Sequence, residues 1–465
     1  MSAAAERNDW PDGLLLAYYG DDFTGSTDAM EAMTAAGVPT VLFLDAPAPG
    51  ALQRFPDARC VGIAGSSRGR SPQWMDAELP KAFAALTRLG APILHYKVCS
   101  TFDSSPAIGS IGHAIDIGVA HMPGRWTPTI VGAPRLKRYQ AFGNLFAAVD
   151  GVGYRLDRHP TMSRHPVTPM HEADLRRHLG AQTRRPIELI DMVQLRQGTA
   201  EARQRELEGD AVPVVLIDVL DDETLREAGR LVWQRRGSGL FSASSSGLCY
   251  ALAAHWRDAG RLPKEAALPA AASVARIAAV SGSCSPVTAA QIAWARDNGF
   301  AVERLDLPRA LAAPTRSAEI ERVVGLGAAA LGAGRSALVF SAEGPDDASV
   351  RGFDAIAGAA GLDRAEAARS VGAALAEVMR QLLDRVDLDR VVVAGGDSSG
   401  EVASALDIEA LTVSAAMTPG APLCRAWSRN PRRDGLEIVL KGGQMGDASF
   451  FGRVRDGAPA PTAQR

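Results

Sequence analysis

Short apolar runs of strand length alternate along this chain with stretches whose apolar residues recur at helical spacing, and no other feature restricts the fold as much. In the first half the runs are Leu14 to Tyr19, Thr40 to Leu44, Val61 to Ala64, Ile93 to Val98 and Thr129 to Val131, with helical patterns such as Ser26 to Ala36 and Gln73 to Leu89 between them. Strands that are apolar throughout have both faces covered, which predicts a mostly parallel sheet flanked by helices. Ligands of such sheets bind beyond the carboxyl ends of the strands.

A chain of 465 residues exceeds what one core of roughly 100 to 250 residues organises, so two domains are expected. The alternation pauses at Arg158 to His171 (RHPTMSRHPVTPMH), which reads as a long surface loop of the kind that forms lids. It resumes with Pro186 to Ile190, Pro213 to Asp218 and a helix from Asp222 to Arg236. The small, proline-bearing stretch Ala259 to Ala272 then marks a boundary, giving domains over residues 1–265 and 266–465. In the second half, Arg276 to Val280, Ala301 to Leu305, Ser336 to Ser341, Arg390 to Ala394 and Glu437 to Leu440 are the expected strands. Helices are expected from Pro286 to Asn298, near Glu319 to Leu331 and from Arg364 to Leu383. The predicted fold class is α/β: two tandem domains with mostly parallel sheets and an active-site cleft between them.

Composition removes several function classes. A net charge of −3 without a clustered basic face speaks against nucleic-acid binding, Arg135 to Arg138 being short and isolated. No window reaches the ~18 apolar residues of a membrane span, and the polar start lacks a signal peptide, so a cytoplasmic protein is expected. Five scattered cysteines without a C-x-x-C pair fit neither a disulfide framework nor a zinc site. The oligomeric state stays open, a homodimer included.

Chemistry concentrates at the strand ends. The first run leads through Gly20-Asp21-Asp22-Phe23-Thr24-Gly25 into a helix. Adjacent carboxylates there call for a cation or a hydroxylated ligand, although a turn with a helix cap explains them equally well by spacing alone. Arg68 follows the third strand and Lys97 ends the fourth, with Asp103 just beyond in Ser100-Thr101-Phe102-Asp103-Ser104-Ser105. An Arg fork and a Lys ammonium at neighbouring strand mouths suit the carboxylate of a small anion, and Asp103 with nearby hydroxyls suits its alcohols.

The second half carries three small-residue turns after strands: Ser281-Gly282-Ser283, Gly395-Gly396-Asp397-Ser398-Ser399-Gly400, and Lys441-Gly442-Gly443. Small residues let backbone N–H groups approach phosphate oxygens, and a helix N-terminus favours the negative charge. No G-x-x-x-x-G-K-[ST] is present, and Gly332-Ala333-Gly334 precedes a strand rather than following one, so neither a P-loop nor a dinucleotide fingerprint is met. His159, His165 and His171 recur six apart among prolines and match no helical metal pair. No metal ligands are assigned.

This ordered set, with Tyr96-Lys97 and Pro419-Gly420-Ala421-Pro422-Leu423, resembles the four-carbon acid sugar kinase family over nearly the whole chain. The resemblance implies an N-terminal domain that binds a sugar acid through Asp21, Asp22, Arg68, Lys97 and Asp103. It also implies a C-terminal domain that binds ATP with Mg2+ through Ser281, Ser283, Gly395, Gly396, Asp397, Ser398, Ser399, Gly400, Gly442 and Gly443. Threonate, erythronate, 3-oxo-tetronate and 3-oxo-isoapionate are substrates of the expected kind. Many members carry Asp-Ser-Thr and then Arg-Gly-Asn after the lysine, whereas Ser100 to Ile111 reads STFDSSPAIGSI here. Phosphoryl transfer needs positioning and a proton acceptor, for which Asp22 is the first candidate and Asp397 the second. The rival readings are a two-domain sugar-acid sensor and an NAD-dependent sugar-acid oxidoreductase.

Overall fold

The computed structural model describes residues 10–149, 151–165, 167–264 and 266–457. They form two compact units that divide between Ala266 and Ala267.

In the first unit, β1 (Leu16–Gly20), β2 (Thr40–Phe43), β3 (Cys60–Ala64), β4 (Ile93–Lys97) and β11 (Leu240–Ser244) make a parallel sheet in the order β11-β4-β1-β3-β2. The chain leaves β1 for β2 and β3 on one side and then crosses to β4 on the other. β1 is thus flanked by β3 and β4, and their carboxyl ends open at the point where the strand order reverses, the preferred ligand position in open α/β sheets. Registers place Gly20 beside both Ala64 and Lys97. Helices α1 (Phe23–Ala35) and α2 (Pro72–Thr87) follow β1 and β3. Phe83 of α2 is fully buried and meets Tyr96 edge-on at 6.1 Å, a packing worth about 1 kcal/mol beyond area burial. α1 starts three residues ahead of the apolar pattern because Asp22 caps it, accepting from Gly25 N at 2.7 Å.

Two smaller sheets complete this unit. β5 (Thr127–Thr129), β9 (Ile187–Ile190) and β10 (Val214–Ile217) are parallel in the order β5-β10-β9, and β6 (Arg138–Ala141), β7 (Asn144–Val149) and β8 (Val152–Arg155) form an antiparallel meander. The strand expected over Thr129 to Val131 lies two residues earlier. The meander was not expected: β6 and β8 are interrupted by Arg138, Gln140 and Arg155, and the one apolar run, Leu145 to Val149 of β7, stands between these polar strands. The segment expected as a surface loop, Arg158 to His171, is instead anchored inward. His159, Met162, Thr168 and Met170 are buried, and His159 Nδ1 accepts from the backbone of Thr161 and Met162 at 3.2 Å.

In the second unit, β12 (Ala278–Ser281), β13 (Ala301–Arg304), β14 (Ala337–Phe340), β15 (Arg390–Ala394) and β18 (Glu437–Lys441) run parallel in the order β18-β15-β12-β14-β13. β16 (Ile408–Thr418) and β17 (Ala421–Ser428) form an antiparallel hairpin, with β17 antiparallel to β18. Ile277, Ala279, Leu338, Val392 and Val439 pack with Phe450 and Phe451 of the last helix, Phe450–Asp456. Burial of each such side chain contributes roughly 1.5 to 3 kcal/mol. Helix α3 (Pro286–Asp297) follows β12, and α4 (Gly396–Ala405) follows β15. Among the described residues no helix is long and apolar enough to cross a membrane.

Candidate functional site

The mouth of the first sheet is built around Arg68. Its guanidinium reaches Asp21 with Nη2 at 2.9 Å from Oδ1 and Nε at 3.2 Å from Oδ2, while Nη1 lies 2.8 Å from Asp22 Oδ2. The backbone fixes this geometry: Arg68 N donates to Asp21 O at 3.0 Å and Asp21 N to Lys97 O at 2.9 Å. Burial pushes the Asp21 carboxyl up to about 6 against the opposing pull of Arg68. Burial also works against the Arg68 charge, but Asp21, Cys99 and Asp22 together outweigh it and the guanidinium is held protonated.

Lys97 is buried, with Nζ 3.5 Å from Asp28 Oδ2 on α1. Burial disfavours its charge, yet Asp28, Asp22 and Asp21 together raise its pKa. Gly25 makes room for this grouping: a Cβ there would fall 2.4 Å from Asp22 Oδ1 and 2.6 Å from Lys97 Nζ, far inside contact distance. Asp103 is buried and accepts from Thr101 Oγ1 at 2.6 Å and from Thr168 Oγ1 at 3.2 Å. Burial pushes the Cys99 thiol up, and Arg68, Asp103 and Lys97 are the charged groups that act on it. Asp21, Asp22, Arg68, Lys97 and Asp103 therefore gather at one sheet mouth. Carboxylates there can accept from sugar hydroxyls, and the two cations can take a carboxylate.

Sequence reasoning missed Asp28, Cys99 and Thr168. Asp28 carried a usable signal, since it stands three residues after Gly25 and shares its helix face. Thr168 carried none, because it arrives from the segment assigned to the surface.

In the second unit the three turns also meet. Ser281, Ala394 and Lys441 are register partners at the carboxyl ends of β12, β15 and β18. A Cβ on Gly282 would lie 2.2 Å from Ser398 Oγ, and one on Gly443 would lie 2.4 Å from Ser283 Oγ and 3.0 Å from Ser285 Cβ. Gly395 has φ +131° and sits against Gly282, Ser283 and Ser398. Ser399 turns back on the chain, donating to Gly395 O at 2.7 Å, and Gly400 lies inside α4. Gly396 opens α4, so that helix points its N-terminus at the glycine cluster. The Asp397 side chain lies outside the described residues. Among those described, no group of three or more His, Cys, Asp or Glu side chains is arranged to hold a metal ion.

Comparisons with known proteins agree with this division. The sugar-binding N-terminal domain model matches residues 16–252, and the nucleotide-binding C-terminal domain model matches residues 278–451. The chain is 72% identical over 448 residues to a 3-oxo-isoapionate kinase of Paraburkholderia graminis, covering 96% of this chain and 95% of that one. It is 32% identical to a 3-oxo-tetronate kinase of Methylobacterium radiotolerans, covering 95% and 99%. A Salmonella typhimurium LT2 protein, crystallised as a candidate tRNA synthase, superposes with a TM-score of 0.76 at 25% identity over 94% of this chain and 98% of that one. With both halves matched in order by sugar- and nucleotide-binding models, and with relatives that align end to end, the chain belongs to the four-carbon acid sugar kinase family.

Proposed function

We propose that the chain transfers the γ-phosphoryl group of ATP to a hydroxyl of 3-oxo-isoapionate. The carrying observation is the sheet mouth that joins Asp21, Asp22, Arg68, Lys97 and Asp103, in a chain 72% identical to a kinase named for that substrate. In the reaction the alcohol oxygen attacks the γ-phosphorus, the bond to the β,γ-bridging oxygen breaks, and ADP leaves with the electron pair. Little covalent help is required; the protein's task is to position the alcohol, neutralise charge and accept one proton.

Arg68 and Lys97 hold the carboxylate of the acid, and Asp21 and Asp103 orient its hydroxyls. Asp22 accepts the proton of the attacking hydroxyl, with Asp397 the second candidate. The phosphates lie on the turns at Ser281 to Ser283, Gly395 to Gly400 and Gly442 to Gly443, where close glycine packing and the α4 N-terminus suit anions. A Mg2+ ion brought by the nucleotide would supply neutralisation of phosphate charge, and no residue of the chain is assigned to hold it.

A coupled assay of ADP release over C4 and C5 oxo-aldonic acids tests the reading. The expected result is a kcat/KM for 3-oxo-isoapionate well above that for 3-oxo-tetronate. Preference for the tetronate overturns the substrate assignment, and ATP binding without turnover of any acid overturns the reaction.

A further inference from the structure

Lys441 ends β18 directly beneath the Gly442–Gly443 turn and is fully buried. Its ammonium donates to Gly442 O at 3.1 Å and to Thr288 Oγ1 at 3.2 Å, and Thr288 Oγ1 in turn donates to Gly443 O at 2.8 Å. The remaining neighbour of note is the ring of Phe450, 5.6 Å away. Among the described residues no carboxylate pairs with it, and burial alone lowers its pKa to about 8. A buried charge without a counter-ion costs several kcal/mol, and Thr288 lies in the first turn of α3, where the helix dipole also disfavours a cation. Among the described residues no carboxylate offsets this cost.

The hydrogen bonds show what the lysine does. In a trans peptide the C=O and N–H of one unit point in opposite directions. Lys441 and the Thr288 hydroxyl draw the carbonyls of Gly442 and Gly443 inward, so the N–H groups of Gly443 and Gln444, which share those peptide units, face the other way. Among the described residues neither N–H finds a protein acceptor. Two successive outward N–H groups above a buried positive charge make an anion-binding concavity.

Resting on the nucleotide-site reading above, we propose that Lys441 is a positioning residue that, through Thr288, aims the Gly443 and Gln444 amides at the phosphate chain of ATP and supplies the positive charge beneath it. The anion provides a counter-ion that no described residue supplies, and adenosine without phosphates gains nothing from the arrangement.

The test is calorimetric titration of the full-length protein with adenosine, AMP, ADP and ATP, comparing wild type with Lys441→Met, Lys441→Gln and Thr288→Val. For Lys441→Met, ADP and ATP are expected to weaken by about 10- to 100-fold while adenosine changes by less than about 2-fold. Lys441→Gln keeps a donor but not the charge and falls between, and it carries the test if the methionine variant does not fold. Thr288→Val leaves the charge in place and frees one carbonyl, so it weakens ATP by a smaller factor. Unchanged ATP affinity in a folded Lys441 variant overturns the proposal, as does loss of adenosine and ATP by the same factor, which is the mark of a merely structural lysine. Failure of the wild type itself to bind ATP overturns the underlying nucleotide reading instead.

Discussion

Asp22 has three partners that compete for one carboxylate: the amide of Gly25, the guanidinium of Arg68 and the neighbouring Lys97. Asparagine caps helices as well as aspartate does, so Asp22→Asn separates the cap from the charge. Stability is expected to change by less than about 1 kcal/mol while kcat falls at least about 100-fold, checked by thermal unfolding and steady-state kinetics. Full turnover removes Asp22 from the role of base. Asp21 gives a pH signature. Its folded-state pKa of about 6 stands above the ordinary carboxylate value of 3.8, so between these values the native state holds a proton that the unfolded chain has released. Stability contributed by this group therefore falls as pH rises from about 4 to about 6, with a slope of at most about 1.4 kcal/mol per pH unit. Subtracting the Asp21→Asn profile from that of the wild type should isolate this descent, and a flat difference contradicts it. These charged residues were legible in the sequence because strand ends in parallel sheets face ligands. Thr101 and Thr168, which hold Asp103, were not assigned, since a hydroxyl has no sequence pattern that reveals its partner.

At the level of elements, β1 to β4 of the first unit and the five-stranded parallel core of the second followed from apolar runs, whereas β6 to β8 and the β16–β17 hairpin did not. Antiparallel strands with one wet face dilute the apolar signal, and β16 is further irregular through register shifts near Ala410, Ala415 and Thr418. β11 escaped because two of the five residues in its sequence, LFSAS, are serine, although it is fully buried: Ser242 Oγ donates to Pro128 O, and Ser244 Oγ accepts from Ile130 N. The turns of the second unit give an element-scale prediction. In Gly282→Ala the new methyl group meets Ser398 Oγ at 2.2 Å and displaces that hydroxyl from the glycine cluster, with Leu375 Cδ1 also tight at 3.3 Å. The expected cost is about 1 to 3 kcal/mol in stability, with ATP affinity reduced and sugar-acid affinity retained, read by calorimetry with each ligand.

Across the whole molecule, a sugar-binding domain model matches the first unit and a nucleotide-binding one the second, and linkage makes binding by each measurable. A ligand that binds only the folded state at 100 times its Kd stabilises by about 2.7 kcal/mol, so saturating ATP and saturating sugar acid should each raise Tm when added alone. A shift with the acid that requires nucleotide to be present would contradict independent sites. The boundary near Ala266 was legible from a small-residue, proline-bearing linker, because such composition neither packs a core nor continues a helix. One arrangement reaches furthest. In the first unit Asp21, Arg68 and Lys97 are carried on a rigid parallel frame, while the stretch from Ser100 onward that supplies Asp103 is outside that frame. On the role proposed for Asp103, mutations in this stretch are expected to change which alcohols are recognised without disturbing strand pairing, which would give a lineage a route from one sugar acid to another.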